Sequence, residues 1–287
     1  MTLGFPPARL IVNADDLGLA ESVNRGILET MESGIVRSAS LMVNMGAHDD
    51  AIRRLGDARR RGLDVGIGLH FNIVAGAPLT ECRTLADSRT GRFHSLGRTA
   101  LAAFARRIDR RDVEAELEAQ LSRAESLLAP IGMRVTHIDS HRHAHCLPGI
   151  FDVVVLGART HGIKHVRHPT ELSPTLLHRL PALLVARLLR FALPHRRLPD
   201  EVAFAGLALM GSRTLDRDLQ RLIAALPPGA TELMVHPGYD SPDLAALDPF
   251  RAPREREVRA LTSPALRSWI RERGTELTHF GATAPPA

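Results

Sequence analysis

The chain has 287 residues and a mass of 31.4 kDa, a length at which α/β barrels commonly form a single domain. Its residues are 44% hydrophobic, enough for a large core, yet no segment reaches the uninterrupted apolar stretch of about 20 residues that a membrane helix needs. The net charge of +5 comes from arginines scattered among acids, which argues against nucleic acid as a partner despite a pI near 10.3.

Two features of the chain concern its cellular location. Residues 1–8 lack the basic start, the apolar run and the small-residue cleavage site of an export signal. Cys82 and Cys146 are the only cysteines, too few for a disulfide framework. We therefore expect one domain, spanning residues 1–287, in the reducing cytoplasm.

Strand and helix patterns alternate along the chain. Short apolar runs that end in polar residues predict strands at residues 10–13, 39–43, 65–72, 135–139, 165–167 and 231–236. Apolar residues at helical spacing predict helices at residues 21–33, 49–61, 112–128, 150–161 and 263–273, and a loop rich in Gly, Pro and Thr is expected at 75–93. This alternation predicts an α/β fold with a parallel sheet, closed into a (β/α) barrel or a distorted relative of one.

Residues 173–199 do not fit this alternation. The segment is rich in Leu, Arg and Pro, and it resembles an inserted amphipathic hairpin or cap. A covering helix or the contact of a homodimer explains it most simply. Its several arginines argue against a membrane span, although a basic amphipathic helix can lie on a lipid surface.

The first candidate site lies at the end of the first predicted strand. The sequence Asn13-Ala14-Asp15-Asp16-Leu17-Gly18 places two adjacent carboxylates there, before a glycine that allows the chain to turn. Neighbouring side chains on a strand point to opposite faces, so one acid could bind a metal while the other acts as a base. The pair is not specific by itself, because an Asp-Asp pair is also a common helix cap.

Histidines end two further predicted strands. His70 lies beside Gly66 and Gly68, which permit close approach of the backbone. His236 ends an apolar run and is followed by a Pro-Gly turn, and its intrinsic pKa suits proton donation near neutrality. Each histidine alone would be interpreted as structural, but their matching positions at strand ends favour a function.

The segment 137–145 gives the strongest indication of chemistry. His or Asp occupies every second position, at His137, Asp139, His141, His143 and His145. In an extended chain these side chains would face one side. Burying them together costs free energy unless they bind something, which favours a metal site or an acid–base network. The alternative, a surface histidine tract, is disfavoured by the flanking apolar residues.

Four of these segments, taken in chain order, resemble the motifs of the YdjC-like carbohydrate deacetylases, a family that includes the chitooligosaccharide (chitobiose) deacetylases. The segments are residues 13–18, 68–71, 136–145 and 236–237, and the resemblance runs from about Arg9 to about Gly281. It implies a distorted (β/α) TIM-like barrel related to the polysaccharide deacetylases. It also implies one divalent metal ion, zinc or magnesium, at the strand ends.

The resemblance also implies roles for individual residues. By motif position, Asp16, His70 and His141 correspond to metal ligands, Asp15 to the base and His236 to the acid, and the assignment of the two aspartates could be reversed. Metal-bound imidazoles usually need a further acceptor, so other residues of the segment would orient the ligands or touch substrate. These residues are His137, Asp139, His143 and His145.

The implied reaction removes an N-acetyl group from an amino sugar and releases acetate. Because the chain has one Trp, one Tyr and 4% aromatic residues, a mono- or disaccharide or a short chito-oligomer is favoured over long chitin. A lipid-linked N-acetyl sugar, such as a hopanoid-type glycolipid, stays open because of residues 173–199. So do two other classes of protein, an iron(II) oxygenase with the same ligand set and a silent sugar-binding protein. Arg167 and Arg251 are candidates for substrate contact, with surface ion pairing as the alternative for each.

Overall fold

The computed structural model describes residues 8–172 and 202–282. Its strands are β1 (Ala8–Leu17), β2 (Ser38–Leu41), β3 (Gly66–Phe71), β4 (Ala86–Asp87), β5 (Arg92–Phe93), β6 (Val135–Ser140), β7 (His165–Val166), β8 (Ala203–Ala205), β9 (Gly229–Val235) and β10 (Glu276–Thr278). Its α-helices are α1 (Glu21–Ser33), α2 (His48–Arg60), α3 (Leu96–Phe104), α4 (Arg110–Leu128), α5 (Phe151–Thr160), α6 (Leu215–Ala224), α7 (Pro242–Leu247), α8 (Ala252–Leu261) and α9 (Pro264–Glu272).

The main sheet is parallel and curled. Its strand order is β7-β6-β3-β2-β1-β9-β8, and β10 pairs with the first residues of β1. A parallel bridge between Glu171 and Phe204 joins the segment after β7 to β8, at the opposite edge of the sheet. The expected α/β fold with a distorted parallel barrel is confirmed.

The predicted elements agree with the structure where the apolar pattern is long. The helix predicted at 21–33 has the observed bounds, and the other predicted helices end within two residues of the observed ones. The β4–β5 hairpin, β8 and β10 were not predicted, because strands of two or three residues form through pairing with neighbours and show little pattern of their own. Helices α3, α6, α7 and α8 were also not predicted.

Residues 173–199 lie outside the described part of the chain. The expected insertion or cap and its contact with lipid therefore stay predictions. Within residues 8–172 and 202–282, no helix combines the length and the apolar character that crossing a membrane requires.

The segment after β6 does not continue as the extended chain in which alternate residues of 137–145 would face one side. The strand ends at Ser140, and His141–Cys146 forms a 3₁₀ turn in which Arg142 and His143 each have a φ of 54°. The Ser140 hydroxyl accepts a hydrogen bond from the His145 backbone N–H at 2.9 Å, which closes this turn. The prediction that the alternate residues of 137–145 share one face is therefore wrong beyond Asp139.

The interior of the barrel is polar near the carboxyl ends of the strands. Along β1, Leu10 and Val12 belong to the apolar core. Asn13 instead donates to Asp15 Oδ1 at 2.9 Å and to Ser40 Oγ at 3.2 Å. This alternation along β1 brings polar side chains together with those of the neighbouring strands.

Candidate active site

The two aspartates at the end of β1 point to different partners. The pairing of β1 with β2 shifts register between Ala14 and Leu17, and Asp16 has a φ of 72°. A short polar side chain tolerates this left-handed conformation better than most. Both Asp15 and Asp16 are buried, with 2% of their surface exposed. The irregularity at the strand end thus separates the two carboxylates, as different roles would require.

Asp16 lies between two histidines that come from other elements. Its Oδ1 is 3.3 Å from Nε2 of His70 and 2.9 Å from Nδ1 of His141. The ligand atoms of these three residues all lie within 4.8 Å of one another. His70 Nδ1 donates to Asp139 Oδ1 at 2.7 Å, which leaves Nε2 free to face Asp16. Two imidazoles and one carboxylate, with a carboxylate behind one imidazole, form a donor set that suits a divalent cation.

The electrostatics of this cluster favour positive charge. Burial alone would lower the pKa of His70, but the nearby carboxylates, above all Asp139, raise that pKa to about 10. Burial opposes ionisation of Asp16, yet the Arg254 guanidinium and His141 hold the pKa of Asp16 well below its usual range. The neighbouring positive groups therefore keep the Asp16 carboxylate charged.

Asp15 is held by a buried arginine. Arg167, only 4% exposed, donates from Nη1 to Asp15 Oδ2 at 2.6 Å and from Nη2 to Asp15 Oδ1 at 2.7 Å. The same Nη2 lies 2.7 Å from Asp139 Oδ2 and 2.6 Å from Glu232 Oε1. Surface pairing, the alternative considered for Arg167, is therefore wrong, because its guanidinium is surrounded by three carboxylates inside the barrel.

His236 follows β9 and lies at the edge of the same cluster. Its Nε2 is 3.9 Å from Asp15 Oδ2, and its side chain is 12% exposed. Its backbone N–H donates to Glu257, and its ring makes an edge contact with Phe250 at 5.6 Å. Burial lowers the pKa of His236 although the carboxylates of Asp15 and Asp16 oppose this.

His145 contacts the backbone of Arg167 and does not belong to the group formed by Asp16, His70 and His141. Its Nε2 donates to the Arg167 carbonyl at 2.8 Å, and its Nδ1 bonds to the Ser140 hydroxyl. Burial lowers the pKa of His145 to about 4, so the ring is neutral and one nitrogen accepts while the other donates. His145 therefore helps to place the arginine that contacts Asp15.

His137 and His143 are not part of the group formed by Asp16, His70 and His141. His137 bonds to Thr136 at 2.9 Å and stacks on Phe280 with 4.2 Å between ring centroids. The ring of His143 makes an edge contact with Phe204 at 6.0 Å. The structure thus shows both histidines packed against phenylalanines, and their expected role in orienting ligands or touching substrate stays a prediction.

Arg251 is partly exposed. Its side chain is 40% exposed, and its Nε lies 3.5 Å from Asp240 Oδ1. This contact matches the surface ion pair that was the alternative for Arg251. Substrate contact by Arg251 stays a prediction.

Residues 9–272 match the sequence model of a protein family, and the description of that family is YdjC-like protein. The chain belongs to the YdjC-like family. A protein of Geobacillus stearothermophilus named carbohydrate deacetylase is 36% identical over 275 residues, which cover 96% of this chain and 97% of the relative. A mouse protein of the same name is 36% identical over 303 residues, and the match covers 96% of this chain and 94% of the mouse protein.

A solved structure shows the same fold as this YdjC-like chain. It is a crystal structure from Enterococcus faecalis, described as a candidate cellobiose-phosphate cleavage protein, with a TM-score of 0.73 and 22% identity. The match covers 97% of this chain and 100% of that one. The likeness extends over the barrel and the elements that follow it.

Several residues of this YdjC-like site were missed by the sequence analysis. Four of them form hydrogen bonds with predicted site residues, and the fifth, Asp248, accepts a hydrogen bond from Arg254. They are Ser40, Glu232, Asp248, Arg254 and Glu257. Arg254 and Glu257 occur in the charged run 251–259, which has the composition of a solvent-exposed helix, so the sequence carries no signal that distinguishes them.

Two glycines bring the His236 loop of this YdjC-like protein against α1. A Cβ on Gly26 would lie 2.6 Å from the Cα of Gly238, so Gly26→Ala should push the loop outward. We expect the free energy of unfolding to fall by about 1–3 kcal/mol, as for other overpacked sites, and turnover to fall because His236 moves. Chemical denaturation and a turnover assay measure the two effects.

Gly97→Ala is the matched control for this substitution. Gly97 lies in α3, and a Cβ there would meet nothing within 4 Å. Its alanine variant should be as stable as the wild type or slightly more so, since alanine favours helix. Equal stability and turnover of Gly26→Ala and wild type would show that the contact between the loop and α1 is dispensable.

Proposed function

We propose that this protein is a metal-dependent deacetylase that removes an N-acetyl group from a small amino sugar and releases acetate. The observation that supports this most is the convergence of Asp16, His70 and His141, whose ligand atoms lie within 4.8 Å of one another. Asp15 and His236 lie beside this cluster and supply a carboxylate and an imidazole for proton transfer. The relatives named carbohydrate deacetylase suggest the class of substrate.

Asp16, His70 and His141 are the residues that would hold the cation, zinc or magnesium. Their burial and the hydrogen bond from His70 to Asp139 fit such a group, since a carboxylate behind a histidine fixes its orientation and raises its basicity. When bound, a divalent cation supplies a water of lowered pKa and polarises the acetamide carbonyl.

Asp15 is the proposed base and His236 the proposed acid. The two hydrogen bonds from Arg167 prevent the Asp15 carboxylate from rotating, so it accepts the proton of the attacking water in a fixed position. His236 Nε2 donates a proton to the amine nitrogen as the C–N bond breaks. Because burial lowers the pKa of His236, its protonated form gives up that proton readily. The products are acetate and the free amino sugar.

The proposed substrate is a mono- or disaccharide or a short chito-oligomer. The scarcity of aromatic side chains supports this, since the chain has one Trp and one Tyr. A cytoplasmic location is part of the proposal, and it is supported by Cys82 and Cys146, which are both free.

The test is an acetate-release assay on metal-depleted and reloaded protein. The protein is treated with a chelator, dialysed, reloaded with Zn²⁺ or Mg²⁺, and incubated without oxygen with N-acetylglucosamine, short N-acetylated chito-oligomers and an N-acetylated glycolipid. We expect acetate from at least one sugar, with a rate that falls at least about 100-fold in the depleted protein. Turnover that requires oxygen, or sugar binding without acetate from any substrate, would contradict the proposal.

A further inference from the structure

Arg254 is the largest fully buried side chain in the described part of the chain. It lies in α8, and 0% of its surface is exposed. Its Nη1 has no hydrogen-bond partner among the described residues, although it is buried. Burying a guanidinium with an unpaired donor costs free energy, so its remaining contacts must offset that cost.

Those contacts connect Arg254 to the proposed metal ligand. Its Nη2 donates to Asp16 Oδ2 at 2.6 Å. The other oxygen of the same carboxylate, Oδ1, faces His70 at 3.3 Å and His141 at 2.9 Å. The two oxygens of Asp16 are therefore divided between the guanidinium and the two imidazoles.

The position of Arg254 is itself fixed from the other side. Its Nε donates to the Phe250 carbonyl at 2.7 Å, and its Nη2 also donates to Asp248 Oδ2 at 2.7 Å. Asp248 Oδ1 lies 3.7 Å from Arg142, the residue after His141. The segment from Asp248 to α8 thus holds Arg254 against Asp16 and also contacts the turn that contains His141.

We propose that Arg254 is a positioning residue for the metal. By occupying Oδ2 of Asp16, it leaves Oδ1 as the single oxygen of this carboxylate that can face the cation, and it fixes the direction of that oxygen. This inference rests on the proposed function, in which Asp16 is a metal ligand. A carboxylate limited to one ligand oxygen leaves more coordination positions for water and substrate.

A charge argument separates positioning from simple electrostatics. The guanidinium is positive and lies close to the proposed cation site, so its charge alone opposes the binding of a second cation. Removal of that charge would then strengthen metal binding. If removal of Arg254 weakens metal binding instead, lost orientation of Asp16 outweighs the lost repulsion.

The test measures metal affinity in Arg254→Met, Arg254→Lys and Asp248→Asn. Each purified variant is checked for folding by circular dichroism, and its Zn²⁺ dissociation constant is measured by competition with a chromophoric chelator. We expect Arg254→Met to bind Zn²⁺ about 10- to 100-fold more weakly, the usual effect of losing a partner of a metal ligand. Arg254→Lys should recover part of this loss. The Co²⁺ absorption spectrum of Arg254→Met should also change, because the ligand geometry changes.

Arg37→Met is the matched control. Arg37 is half-buried and donates to backbone carbonyls of residues 31, 34 and 36, so its loss should destabilise the fold without changing Zn²⁺ affinity. Asp248→Asn removes one ionic anchor of Arg254 and should weaken Zn²⁺ binding less than Arg254→Met does. If Arg254→Met does not fold, Asp248→Asn decides the question.

Two results would overturn the inference. One of them would leave the proposed function standing, and the other would overturn the proposed function as well. Wild-type affinity and an unchanged Co²⁺ spectrum in a folded Arg254→Met or Asp248→Asn variant would overturn the role of Arg254 alone. A wild-type protein that binds neither Zn²⁺ nor Mg²⁺ would overturn the proposed function and the role of Arg254 with it.

Discussion

Replacing His141 with alanine is expected to abolish metal binding and deacetylation together. His141 supplies one of three donors, and the two that remain, from Asp16 and His70, leave a site with too few protein ligands for a tightly bound cation. In the proposed mechanism a bound cation would contribute several kcal/mol of charge stabilisation, so we expect acetate release to fall by about 10³-fold or more. Elemental analysis of the purified variant and the acetate assay measure the two losses.

His161→Ala is the control for this prediction. His161 follows α5 directly and lies between Glu118 and Glu125 of α4. Its Nε2 is hydrogen-bonded to Glu118 at 3.0 Å and its Nδ1 to Glu125 at 2.9 Å. Its alanine variant should keep both metal and turnover. A His141→Ala protein that contains no metal and still turns over at the wild-type rate would rule out the proposed mechanism.

The position of the site could be predicted because strand ends are visible in the sequence. The apolar runs before Asp15, His70 and His236 identify buried strands, and parallel strands place their carboxyl ends at one edge of a sheet. The sequence pattern does not show distance, so it could not predict that Asp16 and His141 would come within 2.9 Å of each other. The resemblance to the family supplied the expectation that these two residues bind the same metal ion.

The turn after β6 shows where periodicity misleads. Alternation of His and Asp from 137 to 145 has the same appearance whether the chain is extended or turns after Ser140. The turn depends on a hydrogen bond from the His145 backbone to the Ser140 hydroxyl, which is a local polar contact without an apolar pattern. The turn moves His141 next to Asp16 and turns His145 toward the Arg167 backbone.

The supporting charges could not be found from sequence for a different reason. Arg167 and Arg254 look like surface arginines in a chain with 37 basic residues, and only the folded barrel shows that both are buried. Each is stabilised by carboxylates that are distant in sequence, 152 residues away for Asp15 and 238 for Asp16. Such pairs follow from the topology of the chain and not from local composition.

The contacts of Arg167 differ from an ordinary ion pair because three carboxylates share one guanidinium. Asp15, Asp139 and Glu232 all lie within 2.7 Å of its guanidinium. Burial raises the pKa of Glu232 to about 7, in spite of Arg167. Removing Arg167 would leave several buried carboxylates without this counter-ion.

Replacing Arg167 with methionine is therefore expected to have the largest effect on stability. Breaking a buried ion pair from one side costs about 3–5 kcal/mol, because the remaining charge stays buried and unpaired. For a chain of this size that loss lowers the melting temperature by roughly 5 to 10 °C. Differential scanning calorimetry at pH 8 measures it. Arg217→Met, on the exposed surface of α6, should change stability by no more than about 0.5 kcal/mol.

The pH dependence of this variant distinguishes unpaired carboxylates from lost packing. In wild type the Arg167 guanidinium opposes the effect of burial on the pKa of Glu232, so removing the arginine should raise the folded-state pKa of Glu232 further above its unfolded value. A group with a raised folded pKa binds a proton more tightly in the folded state, so the variant gains stability relative to wild type as the pH falls. We expect the deficit of Arg167→Met to shrink between pH 8 and pH 5. A deficit that stays constant over this range would mean that the arginine stabilises the barrel through its packing and not through the charges around it.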